Sequence, residues 1–132
     1  SSILASYFVK KVITIDCYME PSFNHRDVQE WLSPYNNIYP FEGISYEYAN
    51  IKFDNNSIDV LFQDAGHSYG EVVRDFDAYI SKMKKDGIII FHDYKYMIGQ
   101  PDKDVRTAVD DIIKKFPVKD IETTGWCKVI QV

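Results

Sequence analysis

Apolar residues along the chain follow two rhythms. Val12-Ile13-Thr14-Ile15, Ile58-Asp59-Val60-Leu61-Phe62 and Ile88-Ile89-Ile90-Phe91 are short runs rich in β-branched side chains, two of them nearly continuous. Strands covered on both faces read this way, as in a sheet held between helices. Between these runs the apolar positions take helical spacing. Val72, Val73, Phe76, Tyr79, Ile80 and Met83 fall on one face of a predicted helix, whose start is marked by Ser68 and Glu71. That pair is a capping box, in which each side chain satisfies the other's backbone N–H. Val105, Ala108, Val109, Ile112, Ile113 and Phe116 form a second stripe, closed by Pro117. A third helix is predicted over about 24–33, with Val28, Trp31 and Leu32 inward and Pro34 discouraging its continuation. Ile3, Leu4, Tyr7 and Phe8 fit the end of a helix that leads into the first strand.

A weaker strand is expected near 38–43, and two closing strands near 118–123 and 127–132 around a Thr124-Gly125 turn. Strands alternating with helices imply an α/β fold: a mostly parallel sheet, right-handed crossovers, helices on both faces and a C-terminal antiparallel hairpin. A chain of 132 residues fits one domain, taken as 1–132.

Composition narrows the class. With 45% hydrophobic and 15% aromatic residues the chain can bury a real core. A net charge of −5 argues against nucleic acid as the main partner, because phosphate binding needs a basic face. Cys17 and Cys127 show no Cys-x-x-Cys spacing, which suits a reducing cytosol. No apolar run approaches the roughly 18 to 20 residues of a membrane span, and no signal-peptide layout opens the chain. The expectation is a soluble, cytoplasmic protein with no membrane partner.

Each of the three best strands ends in a carboxylate: Asp16, Asp64 and Asp93. In an open parallel sheet, ligands bind beyond the C-terminal strand ends, so these acids are expected to meet at one rim. The competing account is that an Asp after a strand caps a helix or starts a turn. His67, on the loop entering a helix, can face the same rim and take a proton from a hydroxyl nucleophile. Its alternative role is a solvated or capping histidine. His92 reads first as a packed, hydrogen-bonded residue and second as a metal ligand or a partner to one, and His25 as an exposed helix start without a function. Zinc is poorly served, since no cysteine accompanies the histidines at ligand spacing. Asp64 and Asp93 suit a hard cation such as magnesium.

Residues 58–94 resemble the small-molecule methyltransferases called methyltransferase family 24, related to the catechol-type O-methyltransferases. The motifs are Asp64-Ala65-Gly66-His67-Ser68-Tyr69, then Asp86-Gly87 in place of a double glycine, then His92-Asp93. A weaker likeness runs through Val105-Arg106-Thr107-Ala108-Val109 and back to Ile15-Asp16. The resemblance implies a Rossmann-like methyltransferase fold with S-adenosylmethionine as cofactor. Asp16 then matches the acid that binds the cofactor's ribose hydroxyls, and Gly43-Ile44-Ser45 the segment against its adenine. Asp64 is carried over on the cofactor side and, with Asp93, as a ligand of a divalent metal, magnesium in the first instance, that lowers the pKa of the substrate oxygen. His67 falls where those relatives carry their general base. Their third metal ligand is an amide directly after the second acid; this chain has Tyr94 there.

Family members open with a strand and a glycine-rich turn, whereas here the first glycine is Gly43. The expectation is a domain lacking its N-terminal strand and that turn, through a truncated gene, a chain that begins partway along a longer protein, or a partner that fills the gap. The leading functional reading is methyl transfer to a hydroxyl of a small-molecule or sugar-like acceptor. Against it stand a non-catalytic remnant serving as a binding or assembly module, and a different metal-assisted enzyme on the same scaffold. A homo-oligomer is compatible with either. The segments 18–23 and 95–103 are the candidate acceptor loops, with Tyr18, Trp31 and Tyr94 to Tyr96 as aromatic candidates whose default place is surface or core.

Overall fold

The computed structural model describes residues 6–18, 24–95 and 103–132, and the chain divides into two compact units, Ser1–Tyr48 and Ala49–Val132. In the first unit, β1 (Val12–Asp16) pairs in parallel with β2 (Ile38–Glu42), setting Asp16 opposite Glu42. Pro40, which has no N–H to donate, is tolerated because β2 pairs only with β1 among the described residues. Between the strands runs α1 (His25–Leu32), opened by Asn24, whose Oδ1 accepts the Asp27 N–H at 3.0 Å. Its inward stripe is His25, Val28 and Leu32, spaced i, i+3, i+7.

Two expectations on α1 are corrected by that stripe. Trp31 lies off it and remains 59% exposed rather than turning inward. His25 is partly covered rather than exposed, with Nε2 3.3 Å from the Pro40 carbonyl and Nδ1 3.5 Å from Glu42. Of the residues assigned to a leading helix, Ile3 and Leu4 lie outside the described residues, while Tyr7 and Phe8 are exposed. A helix the sequence did not announce, α2 (Ser45–Lys52), follows β2. Its apolar residues form no stripe and it buries only Ala49, so periodicity had nothing to detect.

The second unit contains β3 (Ile58–Gln63), α3 (Tyr69–Tyr79), a 3-10 turn (Ile80–Lys82), β4 (Met83–Phe91), α4 (Lys103–Lys115), β5 (Lys119–Thr124) and β6 (Cys127–Gln131). Its sheet has the order β3-β4-β6-β5, with β3 and β4 parallel and the other neighbours antiparallel. Helices α3 and α4 cover one face. There Val72, Phe76, Val105, Ala108, Val109 and Ile112 pack on Ile89, Phe91 and Ile130. The Phe76 ring meets Phe116 edge-on at 4.8 Å between centroids.

Here too the structure adjusts the reading. Ile80 and Met83, expected on the helix, lie in the 3-10 turn and at the start of β4. Met83 pairs with Ile58, the register then shifts, and Val60 pairs with Ile88. The irregular stretch needs Asp86 at φ 65° and no side chain on Gly87, where a Cβ would stand 2.8 Å from the Lys84 carbonyl oxygen. The final hairpin turns through Gly125 and Trp126, one residue later than expected, with Thr124 facing Cys127. No helix among the described residues is long and apolar enough to cross a membrane.

The capping box forms as anticipated: Ser68 Oγ accepts the Glu71 N–H, and Glu71 Oε2 accepts the Ser68 N–H at 3.1 Å. The Glu71 carboxyl is held below its usual 4.5, first by the Ser68 hydroxyl and then by the Ser68 backbone. A lowered folded-state pKa favours the carboxylate, so this stabilisation is present above the unfolded value and is lost as pH falls through the folded one. Ser68→Ala should therefore lower unfolding stability in urea at pH 7 by about 1 kcal/mol, as loss of a hydroxyl cap does. The gap from wild type should narrow at pH 3. Phe76→Ala, which empties a fully buried site, should cost about 3 to 5 kcal/mol at either pH.

Candidate active site

The parallel pairing of β3 and β4 sets Gln63 opposite Phe91, and the His92 N–H donates to the Gln63 carbonyl at 3.0 Å. Asp64 and Asp93 thus leave adjacent strand ends in the same direction. Asp93 takes φ 55°, a left-handed conformation that Asp tolerates better than most residues. The loop from Asp64 returns His67 to the same place. Gly66 makes that return possible, since a Cβ there would run into the Glu71 side chain of the capping box. His67 Nε2 lies 3.2 Å from Asp93 Oδ2. One ligand atom from each of Asp64, His67 and Asp93 falls within 4.8 Å of the others.

His92 sits beside this trio. Its Nδ1 is 3.1 Å from Asp93 Oδ2 and 3.3 Å from Asp64 Oδ1. Those distances suit charge attraction, but the buried nitrogen makes no aligned hydrogen bond. The ring packs between Phe62, at 5.8 Å between centroids, and Trp126, at 6.1 Å. His92 is therefore packed as expected, but its Nδ1 lies against both acids without the expected hydrogen bond.

Tyr94 explains why this site departs from the catechol-type pattern. Its side chain is buried in the core, its hydroxyl donates to Asp110 Oδ1 at 2.7 Å, and its ring lies under Arg106 and Lys128. Burial first, and then the bond to Asp110, push the hydroxyl pKa up, so it stays a donor. Tyr94 is committed to the core and not to the acids. Tyr96 and most of both acceptor-loop segments lie outside the described residues.

Two residues escaped the sequence reading. Gln63 lines the pocket beside Asp64, His67 and His92 and is only 8% exposed. Its Nε2 donates to the Val72 carbonyl at 2.9 Å, while Oε1 has no partner. The amide cannot be flipped to relieve this, because Oε1 would then face a carbonyl oxygen. Cys127, which opens β6, has its thiol pKa pushed up by burial and then by the charges of Asp64 and Asp93. Strand periodicity marks neither residue; Gln63 stands out only as a polar residue at the end of an apolar run.

In the first unit, Asp16 and the Gly43-Ile44-Ser45 segment gather at the ends of β1 and β2. The Gly43 N–H donates to the Asp16 carbonyl at 2.9 Å, and Asp16 Oδ1 accepts the Tyr18 N–H at 2.8 Å. A Cβ on Gly43 would collide with the Tyr48 ring, which fixes the turn into α2. Ile44 is exposed, and Ser45 is the first residue of α2. The Tyr18 hydroxyl, near His25, has its pKa raised by burial and then by Asp16 and Glu42.

An α/β unit with acids at the ends of paired parallel strands and a closing antiparallel hairpin is the layout of a Rossmann-like methyltransferase. Residues 4–94 match the methyltransferase domain of methyltransferase family 24, and the chain belongs to that family. An uncharacterised protein of Acanthamoeba polyphaga mimivirus is 40% identical over 58 residues, 44% of this chain and 25% of that protein. The fold is similar to that of a TDP-rhamnose 3'-O-methyltransferase of calicheamicin biosynthesis, with TM-score 0.68 and 12% identity over 98% of this chain and 62% of that one. It is also similar to an S-adenosylmethionine-dependent methyltransferase from Aquifex aeolicus, with TM-score 0.66 and 14% identity over 98% and 73%. The O-methyltransferase TomG from Streptomyces achromogenes, solved with S-adenosylmethionine, gives TM-score 0.63 and 12% identity over 92% and 61%. At such identities the likeness establishes the fold. The chain spans a quarter of the length of the mimivirus relative and about three fifths of two of these structures.

The proximity of Cys127 to the acids gives a chemical check. In a Cys17→Ser background, alkylation of Cys127 at pH 8 should be slow, because a raised pKa leaves little thiolate. Asp93→Asn removes one of the charges responsible and should speed the reaction about two- to five-fold. An unchanged rate would mean that the thiol does not sense the acids.

Proposed function

We propose that the chain performs S-adenosylmethionine-dependent methyl transfer to a hydroxyl of a small-molecule or sugar-like acceptor. The observation that carries this reading is the convergence of Asp64, His67 and Asp93 within 4.8 Å at the ends of two parallel strands. Asp93 Oδ2, 3.2 Å from His67 Nε2, orients the ring, which fits His67 to take the acceptor's hydroxyl proton. The sugar O-methyltransferase among the similar folds agrees with a hydroxyl acceptor.

The first unit fits the cofactor. A carboxylate has about four lone-pair sites, so Asp16 can accept the Tyr18 N–H and still receive both ribose hydroxyls. Exposed Ile44 offers an apolar surface for a purine, and Ser45 a polar group at its edge. The bound cofactor supplies an electrophilic methyl group on sulfonium. The protein's share is to position the acceptor oxygen and to accept its proton.

Calorimetry of the full-length protein with S-adenosylhomocysteine tests this reading. Saturable binding is expected, and Asp16→Ala should weaken it about 10- to 100-fold, the effect of losing hydrogen bonds to a charged group. Absence of binding, or an Asp16→Ala variant that binds equally well, would refute the assignment.

A further inference from the structure

The apolar run of β3 ends on a polar residue at an inward position. Side chains alternate along a strand, so Gln63 shares the helix-covered face with Leu61, which packs on the core. Its amide is held at one end, where Nε2 donates to the Val72 carbonyl at 2.9 Å. The other end, Oε1, is buried and has no partner among the described residues. A buried acceptor left unsatisfied is costly, and Gln63 lines the pocket that also reaches Asp64, His67 and His92.

We infer that this pocket is a subsite for a primary amine, bound as its ammonium by Gln63 Oε1 and the Asp64 carboxylate, and that the acceptor is an amino alcohol. The inference deepens the methyl-transfer reading and rests on it for naming the ligand an acceptor. The amine subsite itself stands on the pocket.

The polar wall decides which group fits. The Gln63 oxygen cannot change places with its nitrogen, which is tied to a carbonyl, and an ionised carboxylate only accepts. An ammonium brings three donors and no acceptor, whereas a hydroxyl brings one donor and lone pairs that would face the carboxylate. The space is water-sized, which suits a terminal ammonium better than a methylated one or a guanidinium. Val72, Phe91 and Val105 form its apolar side, and hydrogen bonds gain strength against such a wall.

A charged group enters a place of this kind only with an opposite charge beside it, and Asp64 supplies one. Its carboxylate is steadied at the wall by His92 Nδ1, 3.3 Å away. The Cys127 thiol reports the same negative field, since Asp64 and Asp93 add to burial in raising its pKa. His67 lines the pocket too, so a hydroxyl on the carbon next to the amine-bearing one comes beside the base. Bound as ammonium, the nitrogen has no lone pair with which to attack a methyl group, and transfer goes to the oxygen.

Ethanolamine, ethylene glycol and choline, titrated separately into the full-length protein at pH 7 and followed by the Gln63 side-chain amide in heteronuclear NMR spectra, test the inference. Ethylene glycol keeps the size without the charge, and choline keeps the charge without an N–H to donate. Ethanolamine should shift the amide saturably and bind at least about 10-fold more tightly than either, the effect of a charge-assisted hydrogen bond. Gln63→Leu should remove the margin over choline. Should that variant fail to fold, Asp64→Asn, at a position 44% exposed, should weaken ethanolamine about 10-fold and leave ethylene glycol unchanged. Equal affinities for the three probes, an amide that does not shift, or an Asp64→Asn variant that binds ethanolamine as well as wild type would overturn the assignment. S-adenosylhomocysteine added to the same sample separates the two claims. Cofactor binding without ethanolamine binding sinks the amine subsite and leaves methyl transfer standing, and the reverse result does the opposite.

Discussion

The parallel pairing of β3 with β4, in the register that sets Gln63 opposite Phe91, determines where two carboxylates end up. Side chains alternate along a strand, so a slip of one residue would turn Ile89 and Phe91 out of the core and offset the strand ends from which the acids leave. The register is held by burial. Ile89 and Phe91 must face α3 and α4, and they pack there with Val72, Phe76, Val109 and Ile112. The chemistry at the strand ends is thus fixed by packing below it. The same core determines the fate of Tyr94, which turns inward immediately after Asp93.

Convergence has an electrostatic consequence. Two like unit charges about 4 Å apart repel by about 4 kcal/mol at the effective dielectric of a protein surface, before salt screening. Such a site favours positive charge, and the chain supplies two imidazoles, His67 and His92, against the acids. The local field also suppresses the nearby nucleophile, since the acids add to burial in keeping the Cys127 thiol protonated.

Much of this was legible in the sequence. The β-branched runs gave β1, β3 and the end of β4, and the pair Ser68 and Glu71 gave the start of α3. The Val105 to Phe116 stripe gave α4, and the resemblance at 64–69 and 92–93 pointed to the acids that meet. The failures have identifiable causes. Helix α2 has no amphipathic stripe, so periodicity could not reveal it. Trp31 was assigned inward on hydrophobicity, although the inward stripe of α1 runs through His25, Val28 and Leu32. The early start of β4 depends on a register shift and a left-handed Asp86, which are tertiary facts. Gln63 and Cys127 carry no motif, and their relevance comes only from what the fold places beside them.

A crystal structure of the full-length protein tests the central claim most directly. Carboxylate oxygens of residues 64 and 93 and an imidazole nitrogen of residue 67 should lie within 4.8 Å of one another at the ends of β3 and β4. Those two carboxylates directed to separate surfaces would contradict it.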